Sequence, residues 1–178
     1  MFGLIKQFIS EDIFDKLKYE INFRHDTIVV GNTSIKEERK TCWMSDLNYH
    51  YKYGNKTMIP DNLTSTVKML QKIIETKYGK YFDSVLINYY GNGNIGMRYH
   101  SDETYDEWYE DTVIISFGST RKLAFREINN YENKTYFEVS SGDLVYMKEG
   151  CQKLYQHRVL KDKNIFTDRI SLVFKRHV

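Results

Sequence analysis

The sequence predicts an α+β chain that is mainly β, a jelly roll with two N-terminal helices packed on its sheet. Three observations predict it. From Ser84 onward, short runs rich in β-formers recur: Val85 to Tyr90, Thr112 to Phe117, Lys122 to Phe125, Thr135 to Val139, Asp143 to Met147, Leu154 to Val159 and Ile170 to Lys175. Turn residues punctuate them at Gly91-Asn92-Gly93, Gly118, Asn129-Asn130, Ser141-Gly142 and Glu149-Gly150, and strands at this spacing argue for a closed sandwich or jelly roll. Apolar residues at helical spacing occur in two places, both ahead of these runs. With one proline, Pro60, and no Gly/Ser linker, repeat or low-complexity block, the chain shows no internal boundary.

In order, Met1 to Ile9 is apolar but lacks the basic start and small-residue cleavage site of a signal peptide, so a first strand is expected. Ser10-Glu11-Asp12 resembles an N-cap with an acidic first turn, and Ile13, Phe14, Leu17 and Ile21 then predict a short helix ending near Asn22. Thr27 to Asn32 predicts a strand entering a turn, followed by a basic, polar stretch to Lys40. Tyr49, Tyr51 and Tyr53 alternate, which in a strand puts the three rings on one face. Beyond Pro60, Leu63, Val67, Leu70, Ile73, Ile74 and Tyr78 form a helical stripe with Gly79 as C-cap, and Lys68, Lys72, Glu75 and Lys77 make its solvated face.

The 178 residues suffice for a real core, and 41% hydrophobic with 15% aromatic residues excludes a disordered chain. No apolar run is long enough to span a bilayer. A net charge of +2 neither announces a nucleic-acid binder nor excludes one with a local basic patch. Cys42 and Cys151 stand alone, without zinc or redox spacing, which suits a reducing intracellular compartment, cytoplasm or nucleus. No apolar stripe is left over, so a monomer without an obligate protein partner is expected.

The chemistry concentrates between Asn88 and Asp102. His100 and Asp102, two apart, would point to one side in a strand or its extension, so that one metal could meet both. His157 follows in Leu154-Tyr155-Gln156-His157-Arg158-Val159, and Arg169 then opens the apolar strand Arg169 to Lys175. Two histidines and one carboxylate make the facial triad of non-haem Fe(II) oxygenases, with positions left open for co-substrate and dioxygen. Alone, His-x-Asp is also an ordinary hydrogen-bonded turn; the distal His157 and Arg169 give it weight. His25, His50 and His177 fit the surface or the core better than a metal.

These residues resemble the AlkB family of Fe(II)- and 2-oxoglutarate-dependent dioxygenases, especially its DNA-repair members. Leu86-Ile87-Asn88-Tyr89-Tyr90 is similar to the family's L-x-N-x-Y segment, and Met97-x-x-His100-Ser101-Asp102 to its I-x-x-H-x-D. Ile115-Ser116-Phe117-Gly118 with Arg121 and Phe125-Arg126 resembles the S-x-G and R-x-x-x-F-R strands, and Ser141-Gly142-Asp143-Leu144 the turn between them and the last strands. Arg39-Lys40 and Tyr49-x-Tyr51 resemble the upstream P-R-K and Y-x-F/Y region. The resemblance implies one domain over residues 1–178. Residues 1–83 would be a helix-bearing substrate-recognition extension and 84–178 a double-stranded β-helix core.

It further implies Fe(II) on His100, Asp102 and His157, with 2-oxoglutarate and O2 as co-substrates. The 5-carboxylate would pair with Arg169, whose planar fork matches it, and Asn88, Tyr90, Ser171 and Lys175 would complete that site. The implied reaction is oxidative demethylation of N-alkylated bases in DNA or RNA, with 1-methyladenine and 3-methylcytosine as the type, releasing formaldehyde, succinate and CO2. A flipped base would stack between the Tyr49 and Tyr51 rings and His100, near Glu103 and Thr104. Arg39, Lys40, Arg121, Lys122 and Arg126 are the candidate phosphate contacts. Val30, in the turn at Val29-Val30-Gly31, would be a small wedge. Where the family's last strand reads R-x-N-x-T-x-R, this chain has Arg169-x-Ser171-x-Val173-x-Lys175. Two other readings fit the residues: the same chemistry on a protein or small molecule, and a non-catalytic nucleic-acid-binding relative.

Overall fold

Apolar and polar side chains alternate along the strands and sort the molecule into layers. The computed structural model describes the backbone of all 178 residues and every side chain but those of Val30 and Tyr53. The wedge expected of Val30 and the third ring of the tyrosine alternation therefore lie outside the described residues. In chain order the elements are β1 (Phe2–Ile5), α1 (Phe14–Glu20), β2 (Arg24–Val30), β3 (Thr33–Ser45), β4 (Tyr51–Tyr53), β5 (Lys56–Met58) and α2 (Ser65–Tyr78). There follow β6 (Ser84–Tyr90), β7 (Thr112–Gly118), β8 (Arg121–Glu127), β9 (Lys134–Val139), β10 (Leu144–Met147), the single turn α3 (Cys151–Leu154), β11 (Tyr155–Val159) and β12 (Arg169–Lys175).

A seven-stranded sheet runs β1-β10-β7-β12-β6-β3-β2, a three-stranded sheet runs β11-β8-β9, and β4 and β5 form a separate hairpin. This mostly β arrangement is the expected jelly roll. Strand β12 lies between β6 and β7, with Ser171 opposite both Asn88 and Ser116. On one face of the large sheet Val85, Ile87, Val113, Ile115, Phe117, Ile170, Leu172 and Phe174 share a core with Leu17 of α1 and Val67, Leu70 and Ile74 of α2. On the other, Tyr90, Ile114, Val145 and Met147 pack against Leu123, Phe125 and Val159 of the small sheet. Period two then directs Asn88, Ser116, Arg169, Ser171 and Lys175 into the space between the sheets.

Helix α2 follows its sequence signals. Thr64 accepts the Val67 N–H at 3.3 Å, and Gly79 closes the helix at φ 63°, its N–H donating to the Glu75 carbonyl. A cap of this kind stabilises by about 1 kcal/mol. Helix α1 departs from expectation: it starts at Phe14 and ends at Glu20, and Ser10 does not cap it. Asp12, nearer the first free N–H, accepts from Phe14 at 3.2 Å instead. The polar stretch to Lys40 is also more regular than expected. It is the start of β3, whose inner half pairs with β6 while its outer half pairs with β2 alone; an outer strand of that kind can be polar on both faces. Residues 1–83 supply β1, β2 and β3 of the large sheet, so they extend it at both edges of the strands from residues 84–178. Cys42 and Cys151 are buried and unbridged; burial pushes their thiols up to about 12 and about 11. No helix among the described residues is long and apolar enough to cross a membrane.

Gly142 ties the β9–β10 turn to both neighbours: its N–H donates to Ser116, its carbonyl accepts from Ile9, and φ is 82°. A Cβ there would lie 2.0 Å from the Ile9 carbonyl oxygen, whereas one at Gly79 would meet nothing within 4 Å. Urea unfolding of Gly79→Ala should show a loss of about 1 kcal/mol from the left-handed backbone alone. Gly142→Ala should lose roughly 3 kcal/mol because backbone must also shift. Equal losses would contradict the packing described.

Candidate active site

His100 and His157 are held together by a backbone bridge between the loop after β6 and strand β11. Each donates its N–H to the other's carbonyl, at 3.1 and 2.9 Å. His100 Nδ1 donates to the Arg98 carbonyl at 2.8 Å, which leaves Nε2 as the free lone pair. That atom lies 3.6 Å from Asp102 Oδ1, and His157 Nε2 lies 3.8 Å from the same oxygen. One ligand atom from each residue falls within 4.8 Å of the others. The three could hold a divalent ion.

The protonation states suit that use. Burial, with His100 alongside, pushes His157 down to about 3, so its imidazole is neutral. Burial alone would raise Asp102, but Lys175, His157 and His100 together outweigh it and hold the carboxyl well below the usual carboxylate range. Lys175 Nζ donates to Asp102 Oδ2 at 2.8 Å, and the Asp102 N–H donates to Gln152 Oε1 at 2.9 Å. Oδ1 is thereby left facing the two imidazoles. Burial opposes the charge of Lys175, yet Asp102 and Tyr51 together raise it to about 12. Lys175 was expected among the co-substrate contacts; the structure pairs it with the carboxylate of the triad instead, because a flexible ammonium seeks the nearest buried anion.

Arg169 is buried on the same face of β12. Its Nη2 donates to Ser116 Oγ at 2.7 Å, and its guanidinium lies 5.2 Å from the Tyr90 ring. Nε and Nη1 are buried and have no partner among the described residues, a state that costs free energy unless an acceptor arrives. Burial, and Arg121 nearby, lower its affinity for its proton. A carboxylate fits this vacancy by shape and charge. Asn88 stands further along, its Oδ1 accepting from Arg39 Nε at 2.8 Å. Arg39 also bonds Glu37, which receives Lys56 Nζ at 2.7 Å, and Lys56 reaches Asp26 at 2.8 Å. This buried chain of charges joins the β4–β5 hairpin to Asn88 and had no signal in the sequence, since its members are scattered and individually ordinary. Gln152 and Ser116 were missed for the same reason.

The triad opens on a cleft of about 1160 Å³ lined by Tyr51, Tyr99, His100, Asp102, Glu103 and Arg158 among others. Several expected substrate residues are engaged by the protein itself, Tyr51 and Arg39 even at the cleft wall. Tyr49 and Tyr51 do not share a free face: Tyr49 stacks on His177 at 3.7 Å, and Tyr51, buried, stacks on Trp43 at 4.5 Å. The strand begins only at Tyr51, so the alternation does not extend to Tyr49. Arg121 is 2% exposed and donates to the carbonyls of Asn92, Gly93, Ile95 and Leu160. It staples two loops and is withdrawn from any phosphate. Arg39 is spent on Asn88 and Glu37. Lys40, one residue on, faces the helix side, near the Tyr89 ring. Glu103 does line the cleft; the Thr104 carbonyl starts a turn by accepting from Glu107 and Trp108. Ser171 is buried between Asn88 and Ser116.

Over residues 2–175 the chain matches the 2OG-Fe(II) oxygenase superfamily, and it belongs to that family. It is 34% identical to the uncharacterized protein R406 of Acanthamoeba polyphaga mimivirus over 97% of this chain and 91% of that one. It is 28% identical to bovine alpha-ketoglutarate-dependent dioxygenase alkB homolog 3, over 93% of this chain but 61% of that one, and 27% identical to the human protein of that name. The chain thus spans about three fifths of the mammalian relatives. The solved structure of OsALKBH1 shares the fold, with a TM-score of 0.65 at 17% identity over 99% of this chain and 96% of that one. The AlkB resemblance is borne out, and the protein is a 2-oxoglutarate-dependent dioxygenase that uses Fe(II) and O2.

Lys175→Met leaves Asp102 buried without its counter-charge. Urea unfolding of the metal-free protein should show a loss of about 3 kcal/mol. Adding Asp102→Asn should recover most of it, because no buried charge then remains. Additive losses in the double mutant would show that the pair is not coupled.

Proposed function

We propose that the protein is an oxidative demethylase of N-alkylated bases in nucleic acid, of the 1-methyladenine and 3-methylcytosine type. The observation that carries this reading is that Arg169, with two partnerless nitrogens, shares the inward face of β12 with Lys175, which bonds Asp102 of the His100, Asp102 and His157 cluster. In it, His100, Asp102 and His157 hold Fe(II), and Arg169 takes the 5-carboxylate of 2-oxoglutarate beside Tyr90, Asn88 and Ser171. Iron with 2-oxoglutarate and O2 supplies the oxidation of the N-methyl group, whose hydroxymethyl product leaves as formaldehyde beside succinate and CO2.

The protein's share is placement. Lys175 keeps Asp102 ionised and turns one of its oxygens to the histidines. The Arg98 carbonyl fixes the His100 tautomer. The buried surroundings of Arg169 keep water from competing for the carboxylate. The choice of nucleic acid is supported by relatives named for it, such as bovine DNA oxidative demethylase ALKBH2, 20% identical over 94% of this chain and 64% of that one. It is also supported by the aromatic and basic residues at the cleft, Tyr99, Tyr105, Arg98 and Arg158.

The test is conversion of 2-oxoglutarate to succinate with Fe(II), with and without a methylated single-stranded oligonucleotide, beside His100→Ala. Stimulation by the methylated strand that is lost in the variant is the expected result. Turnover that no methylated strand stimulates would overturn the substrate, and no turnover would overturn the iron site. In the same assay Arg169→Lys should raise the KM for 2-oxoglutarate about 10- to 100-fold by losing the bidentate fork.

A further inference from the structure

The small sheet has an outer face that neither core uses. By alternation it carries Gln156 and Arg158 of β11, Lys122 and Arg126 of β8, and Lys134, Tyr136 and Glu138 of β9, with Arg126 opposite both Gln156 and Lys134. On it, planar groups are stacked. The Arg126 guanidinium lies between two tyrosine rings, 3.9 Å from the centre of Tyr99 and 4.0 Å from that of Tyr131. Arg158 also lies against Tyr99, at 4.9 Å. Gln156 Oε1 accepts from Arg126 Nε and Nη2 at 2.9 and 2.7 Å and so fixes the plane of the fork.

Two features of this stack point to a ligand. Several cations elsewhere on the molecule are paired: Lys6 with Asp143, Lys18 with Asp168, Arg24 with Asp61, Lys52 with Glu107 and Lys153 with Glu110. Arg126 and Arg158, brought to one ring, pair with no carboxylate among the described residues, and Arg158 Nε is buried without a partner. Two adjacent uncompensated guanidiniums hold positive potential that only an anion relieves. The stack also ends in an open ring. Tyr131 is 51% exposed and Tyr136, on the next strand, 54%, so flat aromatic faces lie beside the charge. Tyr99 and Arg158 line the cleft of the triad, and the stack leads from that cleft out onto the sheet.

From these features we infer that the Tyr99–Arg126–Tyr131 stack, with Arg158, is a track for single-stranded nucleic acid, binding the nucleotides that flank the base in the cleft. A single strand offers both phosphates and unstacked base faces, and aromatic rings set among arginines take both. A duplex keeps its base faces covered and would use the charge alone. The inference rests on the nucleic-acid reading above and adds where the strand runs. As packing alone, such cation–π pairs would contribute only about 0.5–1 kcal/mol each at an exposed site.

The test compares a methylated trinucleotide, long enough to fill the cleft, with a methylated dodecamer that also reaches the track. The wild-type KM should be lower for the dodecamer. Tyr131→Ala should remove about 5-fold or more of that advantage, Tyr131→Trp should retain it, and Arg126→Met should lower the salt dependence of dodecamer binding by about one counterion. Fluorescence anisotropy with an unmethylated single strand and its duplex gives a readout that needs no turnover; only the single strand should lose affinity in Tyr131→Ala. Unchanged length advantage and salt slope in both variants would overturn the track while the trinucleotide still reports on the demethylase. If neither methylated strand is turned over, the parent reading fails. The anisotropy then decides the track by itself: single-strand binding lost in Tyr131→Ala sustains it, and absence of binding overturns it.

Discussion

Strand β12 can sit in only one register. Its odd positions carry Arg169, Ser171, Val173 and Lys175 into the space between the sheets, and its even positions carry Ile170, Leu172 and Phe174 into the helix-side core. A slip of one residue would bury two cations among leucines and turn three core residues toward the site, so register is enforced from both faces at once. Its neighbours β6 and β7 are locked by the same alternation, and they carry Asn88, Tyr90 and Ser116. The hydrophobic core and the candidate site are therefore two faces of one constraint. Stability of the first fixes the geometry of the second to the precision of a strand rather than of a loop.

What could be read in the sequence follows the same division. The strands from β6 to β12, helix α2 with its Gly79 cap, and the grouping of His100, Asp102, His157 and Arg169 all rest on local periodicity or on spacing along the chain. Contacts that depend on which face of which strand meets another could not be read that way. Arg39 and Lys40 are adjacent and alike in charge, yet one binds Asn88 inside the fold and the other lies near Tyr89 on the helix side. Arg121 looked like a surface cation because a guanidinium that satisfies four carbonyls leaves no mark in its own segment. Tyr49 and Tyr51 looked like a clamp. Their partners His177 and Trp43 lie at the far end of the chain and in another strand, and only the fold brings them in.

The buried charges divide into closed and open sets. Asp26, Lys56, Glu37 and Arg39 close on one another and on Asn88; Asp102 and Lys175 close on each other. Closed networks make a conformation specific at modest net stability. The first of them runs from the β4–β5 hairpin along the cleft wall to Asn88. The hairpin and Asn88 are thus mechanically joined through Arg39, by a route that does not pass through His100, Asp102 or His157.

The open set is Arg169, with two buried nitrogens unmatched, and Arg158 and Arg121, with one each; Arg121 is otherwise satisfied by four carbonyls. Each unpaired buried donor costs about 1–3 kcal/mol, and Arg169 carries two of them on one guanidinium. The cost is recovered only when an acceptor binds, and part of the binding free energy of that acceptor is already stored in the empty site. Arg169 is buried between the sheets, and Arg158 lines the cleft, where the positive charge continues onto Arg126 and its tyrosines. On the proposed reading the two vacancies would sort two anions by size: a short one would reach between the sheets, and a long one would run along the outside.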